Sequence, residues 1–273
     1  MTTFGYKSRS SIVDTISGAP KLFITLAMSI SAMITFDTRY LLFVILVSVA
    51  LFRMSKISFA EIKSVLVFIT VFLLINNIAI YLFAPEQGVA IYGSRHELFR
   101  LSGRYAISVE QLFYQMNVTL KYFSIVPVAM VFFMTTDPGE FAWSLNALKV
   151  NYKIAYAVSL SLRYIPDIQR TYRDISQAQQ ARGVDISKKA PLKARLSGVL
   201  TILFPLVFSS LDRIEQISNA MEMRGFGRLK KRTWYSERSF RPVDIVVVAV
   251  GVLCIGLAAL TIVLNKGRFY NPF

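Results

Sequence analysis

Residues 243–264, VDIVVVAVGVLCIGLAALTIVL, hold a single charged side chain, Asp244. At 1.5 Å of rise per residue the run is long enough to cross the roughly 30 Å hydrocarbon core of a bilayer. It is the clearest crossing segment in the chain, and it makes the fold a membrane fold. Residues 65–84 (VLVFITVFLLINNIAIYLFA) and 113–134 (FYQMNVTLKYFSIVPVAMVFFM) read as two more spans. Residues 22–36 and 40–52 are also apolar but shorter, and Asp37-Thr38-Arg39 separates them. Charges at mid-bilayer are costly, so a hairpin of two short helices is expected there rather than one long tilted helix. Asn76 and Asn77 are read as hydrogen-bonding to a neighbouring helix. Pro127 is read as a kink, and Lys121 as a snorkelling or structurally paired cation.

Composition agrees. The chain is 54% hydrophobic, 17% charged and has a mean hydropathy of +0.50, whereas soluble domains sit nearer 45–50% apolar and about 25% charged. The net charge of +15 would suggest nucleic acid in a soluble protein, but in a membrane protein it marks loops on the cytoplasmic side. No nucleic-acid fold signature accompanies it. Cys254 is the one cysteine, so no intramolecular disulfide is possible, and it is read as a packing residue. With one histidine, His96, the chain cannot build an ordinary His/Cys zinc site. Residues 1–20 are polar, carry Lys7 and Arg9 and do not read as a cleavable signal peptide.

Lys7, Arg9 and Lys21 precede the first span, and Arg53, Lys56 and Lys63 lie between the second and third. Residues 135–241, with 18 Lys/Arg against 9 Asp/Glu, follow the fourth. All fall on one side if the N-terminus is cytoplasmic. The charge-balanced stretch 85–112, read as a polar loop with Gly88, Gly93 and Gly103, then falls outside. Lys266 and Arg268 fall outside too, against the rule. The expected architecture is all-α and polytopic: about five transmembrane helices plus a cytoplasmic domain of long helices. Its parts are 1–134 (membrane helices), 135–241 (cytoplasmic helices) and 242–273 (last membrane helix and tail).

In the cytoplasmic part apolar residues recur at 154, 158, 162, 165, 168, 172 and 175, one stripe of a helix. Pro166 should bend that helix or start a new one. A second stripe runs through Leu203, Val207, Leu211, Ile214, Ile217 and Met221, with Pro205 near its start. Residues 197–211 are expected in a buried or interfacial helix. The stripes end alike: ISQAQQARG at 175–183 and ISNAMEMRG at 217–225 share five of nine residues. Glycine after the last periodic residue is a helix C-cap signal, and arginine suits the negative end of a helix. Ordinary helix ends therefore explain either copy alone. The repeat points further, to two equivalent docking events in which an arginine forks onto a carboxylate of a partner.

GxxxxGK[ST], HExxH and GxSxG are absent. The chain has no motif of an ATPase, zinc hydrolase or serine hydrolase, so no catalytic residue and no metal site are assigned. Nor does it show the charged relay or inverted halves of a secondary transporter.

The stretches MTTDPGEFAWSLNAL (134–148), SLRYIPDIQRTYRDISQAQQARGVD (161–185) and ISNAMEMRGFG (217–227) carry a family resemblance. The chain resembles the transmembrane T component of energy-coupling factor (ECF) transporters, prokaryotic ABC-type importers of vitamins and metal ions. The family's paired Ala-Arg-Gly signatures stand here as Ala181-Arg182-Gly183 and Met223-Arg224-Gly225. The Asp-Pro-Arg element expected before the first span stands as Gly18-Ala19-Pro20-Lys21.

The resemblance implies a complex in the prokaryotic cytoplasmic membrane. Two ABC ATPase subunits would bind ATP and Mg, with no cofactor in this chain. A small membrane S component would bind the substrate, and lipid would surround the whole. Ala181, Arg182, Gly183, Met223, Arg224 and Gly225 would couple to the ATPases. Leu162, Ile165, Ile168, Leu203, Val207 and Leu211 would face the S component. A conventional ABC permease subunit and a basic membrane scaffold are the alternatives.

Overall fold

The computed structural model describes residues 9, 11–102, 105–185, 191–229 and 233–273. In chain order the elements are α1 (Ile12–Thr15), α2 (Gly18–Ile34), α3 (Thr38–Met54), α4 (Phe59–Phe83), α5 (Gln87–Tyr92), β1 (Glu97–Ser102), β2 (Tyr105–Ser108), α6 (Val109–Thr135), α7 (Pro138–Ala147), α8 (Tyr152–Ala181), α9 (Leu192–Met223) and α10 (Pro242–Leu264). They divide into two compact units, 2–140 with 238–273 and 141–237. The fold is that of a polytopic all-α membrane protein with one small hairpin.

In the first unit α10 packs on α2, and α6 packs on both α2 and α3. Met28, Val44, Val128, Val131 and Cys254 meet in the core. Gly251 sets the α10–α2 distance, since a Cβ there would lie 2.8 Å from the Phe23 ring. The Tyr40 hydroxyl lies 2.6 Å from the Ser31 hydroxyl and 3.1 Å from the Cys254 carbonyl, tying α3 to α2 and α10. Asp244 is fully buried. Its carboxylate accepts from the Ser17 backbone and hydroxyl and from the Arg241 backbone, so one acid joins the starts of α2 and α10. A buried carboxylate is tolerated when hydrogen bonds replace the water it loses.

The 22–52 region is a pair of 17-residue helices, as its charges require. Asp37 caps α3 by accepting from the Arg39 N–H at 2.9 Å. It also accepts from the Arg39 guanidinium and, at 2.7 Å, from Asn265 just beyond α10. Burial alone would raise its pKa, but these bonds to Arg39 and Asn265 hold it below the usual carboxylate range. Lys121 does not snorkel. It lies 5% exposed, donates to the Met33 carbonyl at 2.8 Å and sits 3.1 Å from the Phe36 ring centroid. Asn77 donates to Thr119 on α6 at 3.1 Å, the helix-to-helix role expected of it.

The 85–112 stretch departs from the expected loop. It contains α5, an antiparallel hairpin pairing Glu97 with Ser108 and Ser102 with Tyr105, and the first turn of α6. Two polar residues anchor it from within. Glu110, fully buried, accepts from the His96 backbone and lies 2.6 Å from His96 Nδ1. Gln111 accepts from the Gly88 N–H at 2.8 Å. Gly88 has no room for a side chain, because a Cβ would lie 2.4 Å from the Glu110 carbonyl oxygen.

Helices α4, α6, α10 and residues 195–223 of α9 are long and apolar enough to cross a membrane, by length and composition. The first three contain the expected spans 65–84, 113–134 and 243–264. Residues 197–211 do not form the buried helix expected as one alternative. They belong to the 32-residue α9, where Ile202 is buried while Phe204, Val207, Phe208 and Leu211 are each more than half exposed. Pro127, Pro166 and Pro205 lie inside continuous helices, so Pro166 does not start a new one.

Candidate functional site

The repeated stretches at 175–183 and 217–225 fold into the same helix end. Arg182 closes α8 as its C-cap at φ −86°, ψ 7°, and Arg224 closes α9 at φ −84°, ψ 10°. The glycines that follow are left-handed, Gly183 at φ 89° and Gly225 at φ 64°. The Gly183 N–H donates to the Gln180 carbonyl at 2.9 Å and the Val184 N–H to the Gln179 carbonyl at 3.1 Å. In α9 the Gly225 N–H donates to Glu222 at 2.9 Å and the Phe226 N–H to Met221 at 2.9 Å. Both sets are the paired bonds of a Schellman motif, which satisfies the last free carbonyls of a helix. Ala181 and Met223 are the last helical residues, and with Arg182 and Arg224 they are exposed, Met223 at 86%.

The two ends differ in their support. A Cβ on Gly183 would meet nothing within 4 Å. After Gly225, Phe226 packs on Tyr152 and Tyr156 in the first turns of α8, ring centroids 5.7 and 4.9 Å away. The end of α9 therefore lies beside the start of α8, while Arg182 sits at the far end of that same helix. At 1.5 Å per residue, roughly 40 Å of α8 separates Tyr156 from Arg182. The two arginine tips are held well apart.

Between the tips, α8 and α9 border a cleft of about 480 Å³. Ile165 and Ile168 line it from α8, and Ile214, Ile217 and Met221 from α9. Arg213 bridges the helices, 3.8 Å from the Asp167 carboxylate and 5.6 Å from the Tyr164 ring centroid. The hydroxyls of Ser161, Thr171 and Ser210 donate to carbonyls of their own helices, so the walls are largely self-satisfied.

Of the residues expected to face a partner, only Ile165 and Ile168 reach the cleft. Leu162 is half-buried outside it. Leu203, Val207 and Leu211 lie outside it as well, 40–54% exposed on α9. The sequence reading passed over Arg213 and Phe226. The pairing of Arg213 with Asp167 spans more than forty residues and has no local signature, and Phe226 reads as an ordinary residue after a cap. Among the described residues, no group of three or more His, Cys, Asp or Glu could hold a metal ion.

Residues 10–235 match the CbiQ family, described as "Cobalt transport protein". The energy-coupling factor transporter transmembrane protein EcfT of Exiguobacterium sibiricum is 31% identical over 198 residues, covering 68% of this chain and 72% of that protein. EcfT of Lactococcus lactis subsp. cremoris is 28% identical over 261 residues, covering 90% and 94%. The likeness therefore runs through the membrane helices as well as the paired helix ends.

Proposed function

We propose a coupling role for this chain from the premise that it belongs to the CbiQ family and is the transmembrane component of an energy-coupling factor transporter. In this reading α8 and α9 carry motion from two cytoplasmic ABC ATPases, which bind ATP and Mg, to a membrane S component that binds the substrate. Arg182 and Arg224, with Ala181, Gly183, Met223 and Gly225, each dock one ATPase. Guanidinium forks suit carboxylates in the receiving groove. The exposed apolar side chains of α9, Leu203, Val207 and Leu211 among them, meet the S component, together with Leu162, Ile165 and Ile168 of α8. The N-terminus and the unit 141–237 lie on the cytoplasmic side, as their basic residues favour. The cargo, a vitamin, cofactor precursor or metal ion, is chosen by the S component.

One observation carries the reading: the same main-chain end is built twice and held at opposite ends of a long helix. Two caps made only to finish helices need neither matching sequence nor separation. Two caps that engage two copies of one ATPase need both. The test is copurification from membranes in mild detergent, with every retained chain identified by mass spectrometry. Two P-loop ATPase subunits should accompany the wild type, and Arg182→Glu with Arg224→Glu should release them and abolish uptake. Retention of both ATPases and normal uptake by the double variant at normal expression would refute the coupling role.

A further inference from the structure

Helix α4 is sparsely covered along its length, with only Ile62 and Leu73 buried. Its first half carries a shallow groove of about 380 Å³ lined by Phe59, Ala60, Lys63, Leu66, Val67 and Thr70, with Val71 at its end. Lys63 is the only charged group in that lining, and it stands near the end where the chain enters the helix. Among the described residues it forms no ion pair. Arg53 and Lys56 precede it in the turn from α3. Glu61, two residues before it in the chain, is paired with Arg9, whose guanidinium lies 2.5 Å from its carboxylate. Phe59 is held against Phe52, ring centroids 5.3 Å apart. The Thr70 hydroxyl donates to the Leu66 carbonyl at 2.8 Å, which leaves its methyl group to the groove.

The geometry points to this groove as the seat of one anionic phospholipid, its phosphate on Lys63 and an acyl chain along Leu66, Val67, Thr70 and Val71. Length favours a lipid over a helix of another protein. Phe59 to Val71 covers roughly 18 Å of axis, close to one leaflet of a bilayer whose core is about 30 Å thick. A packed transmembrane helix would engage α4 along both leaflets. Charge favours an anionic headgroup over a zwitterionic one, because Lys63 forms no ion pair among the described residues and Arg53 and Lys56 shortly precede it in the chain. The site is independent of the coupling role, since it involves neither α8 nor α9.

Native mass spectrometry of the full-length chain, released from nanodiscs of equal phosphatidylglycerol and phosphatidylcholine, reads the preference directly. The wild type should retain phosphatidylglycerol as its last lipid. Lys63→Gln should lower the phosphatidylglycerol-to-phosphatidylcholine ratio about fivefold, the worth of one basic residue near an anionic headgroup surface. Val67→Trp should reduce retention of both lipids by filling the groove. Lys266→Gln, at the other end of the membrane unit's last helix, should change nothing. An unchanged ratio in Lys63→Gln, or an equal fall in Lys266→Gln, would overturn the site. So would equal occupancy by glycerol phosphate, a headgroup without a tail, or loss of a copurifying protein rather than a lipid from Lys63→Gln.

Discussion

Lys21 and Lys121 each sit on the end of the other's helix. Lys21, on α2, donates to the carbonyl of Thr135, the last residue of α6, at 3.0 Å. Lys121, on α6, donates to the carbonyl of Met33 in the last turn of α2 at 2.8 Å. Both side chains are almost completely buried. A helix ends in carbonyls without intrahelical partners and in the negative pole of its dipole, and each ammonium meets both needs at once. The pair fastens α2 to α6 at two places and gives Lys121 a structural task. Lys21→Met and Lys121→Met should each cost about 1–3 kcal/mol, the range for stranding a buried polar group, read as a lower Tm in detergent. Twelve residues of α2, roughly 18 Å, part the two contacts, so the double variant should be additive to about 0.5 kcal/mol. Full stability in Lys121→Met with uptake abolished would show instead that the lysine serves transport.

The left-handed glycines set the next expectation. Gly183→Ala and Gly225→Ala should each destabilise their helix end by about 1 kcal/mol, because alanine pays for a conformation glycine adopts freely. Gly225→Ala should be the worse of the two, since its Cβ also meets Arg228 Cδ at 3.3 Å. Hydrogen exchange in the last turns of α8 and α9 would measure both. Unchanged protection would mean that the ends relax without cost.

Phe226 fastens the end of α9 to Tyr152 and Tyr156 of α8, at about 0.5–1.5 kcal/mol per aromatic pair. Phe226→Leu should therefore loosen the Arg224 tip and leave the Arg182 tip as it was. Faster exchange confined to residues near 221–228 would bear this out, and equal loosening of both ends would count against it.

Two acids outside the membrane helices should give opposite pH effects. Burial pushes Asp37 up, but its bonds from Arg39 and Asn265 prevail and hold it low. Its contribution is thus present above the ordinary carboxylate range, near pH 4, and is lost as pH falls through its own lower value. Burial pushes Glu140 up, with Lys21 and Arg238 offsetting only part of it. That contribution is present below the ordinary range and is lost as pH rises through the raised value. Asp37→Asn should flatten the acid limb of a stability–pH profile, and Glu140→Gln should steepen it. Identical slopes in the two variants would contradict these assignments.

On the coupling reading, Val207→Asp with Leu211→Asp should release the S component while both ATPases stay bound. Each aspartate would carry a charge into a face that is otherwise apolar. Copurification resolves the two losses, and a joint loss of S component and ATPases would point to unfolding of α9 rather than to a contact.

The long spans were legible because crossing a bilayer demands an uninterrupted apolar run, and 243–264 states it plainly. The break at Asp37 was legible because charge at mid-membrane is costly, and the twin caps because Arg-Gly recurs with its context. The 85–112 region was not. Its strands are too short for alternation to stand out, and composition cannot show that Glu110 and Gln111 turn inward to bind His96 and Gly88. The start of α9 at Leu192 was not legible, because its apolar stripe could be followed only from Leu203. The cleft was hidden because Ile165 and Ile217, some fifty residues apart, line one cleft only when the consecutive helices α8 and α9 are set side by side.

The last turns of both helices are closed by main-chain N–H groups after the arginine. The exposed side chain before each arginine is consequently free to vary without disturbing the path of the chain, as Ala181 in one end and Met223 in the other already show. A lineage could rewrite what each tip displays, one at a time, while the glycine keeps its position in space. The caps thus separate the evolution of recognition from the upkeep of shape.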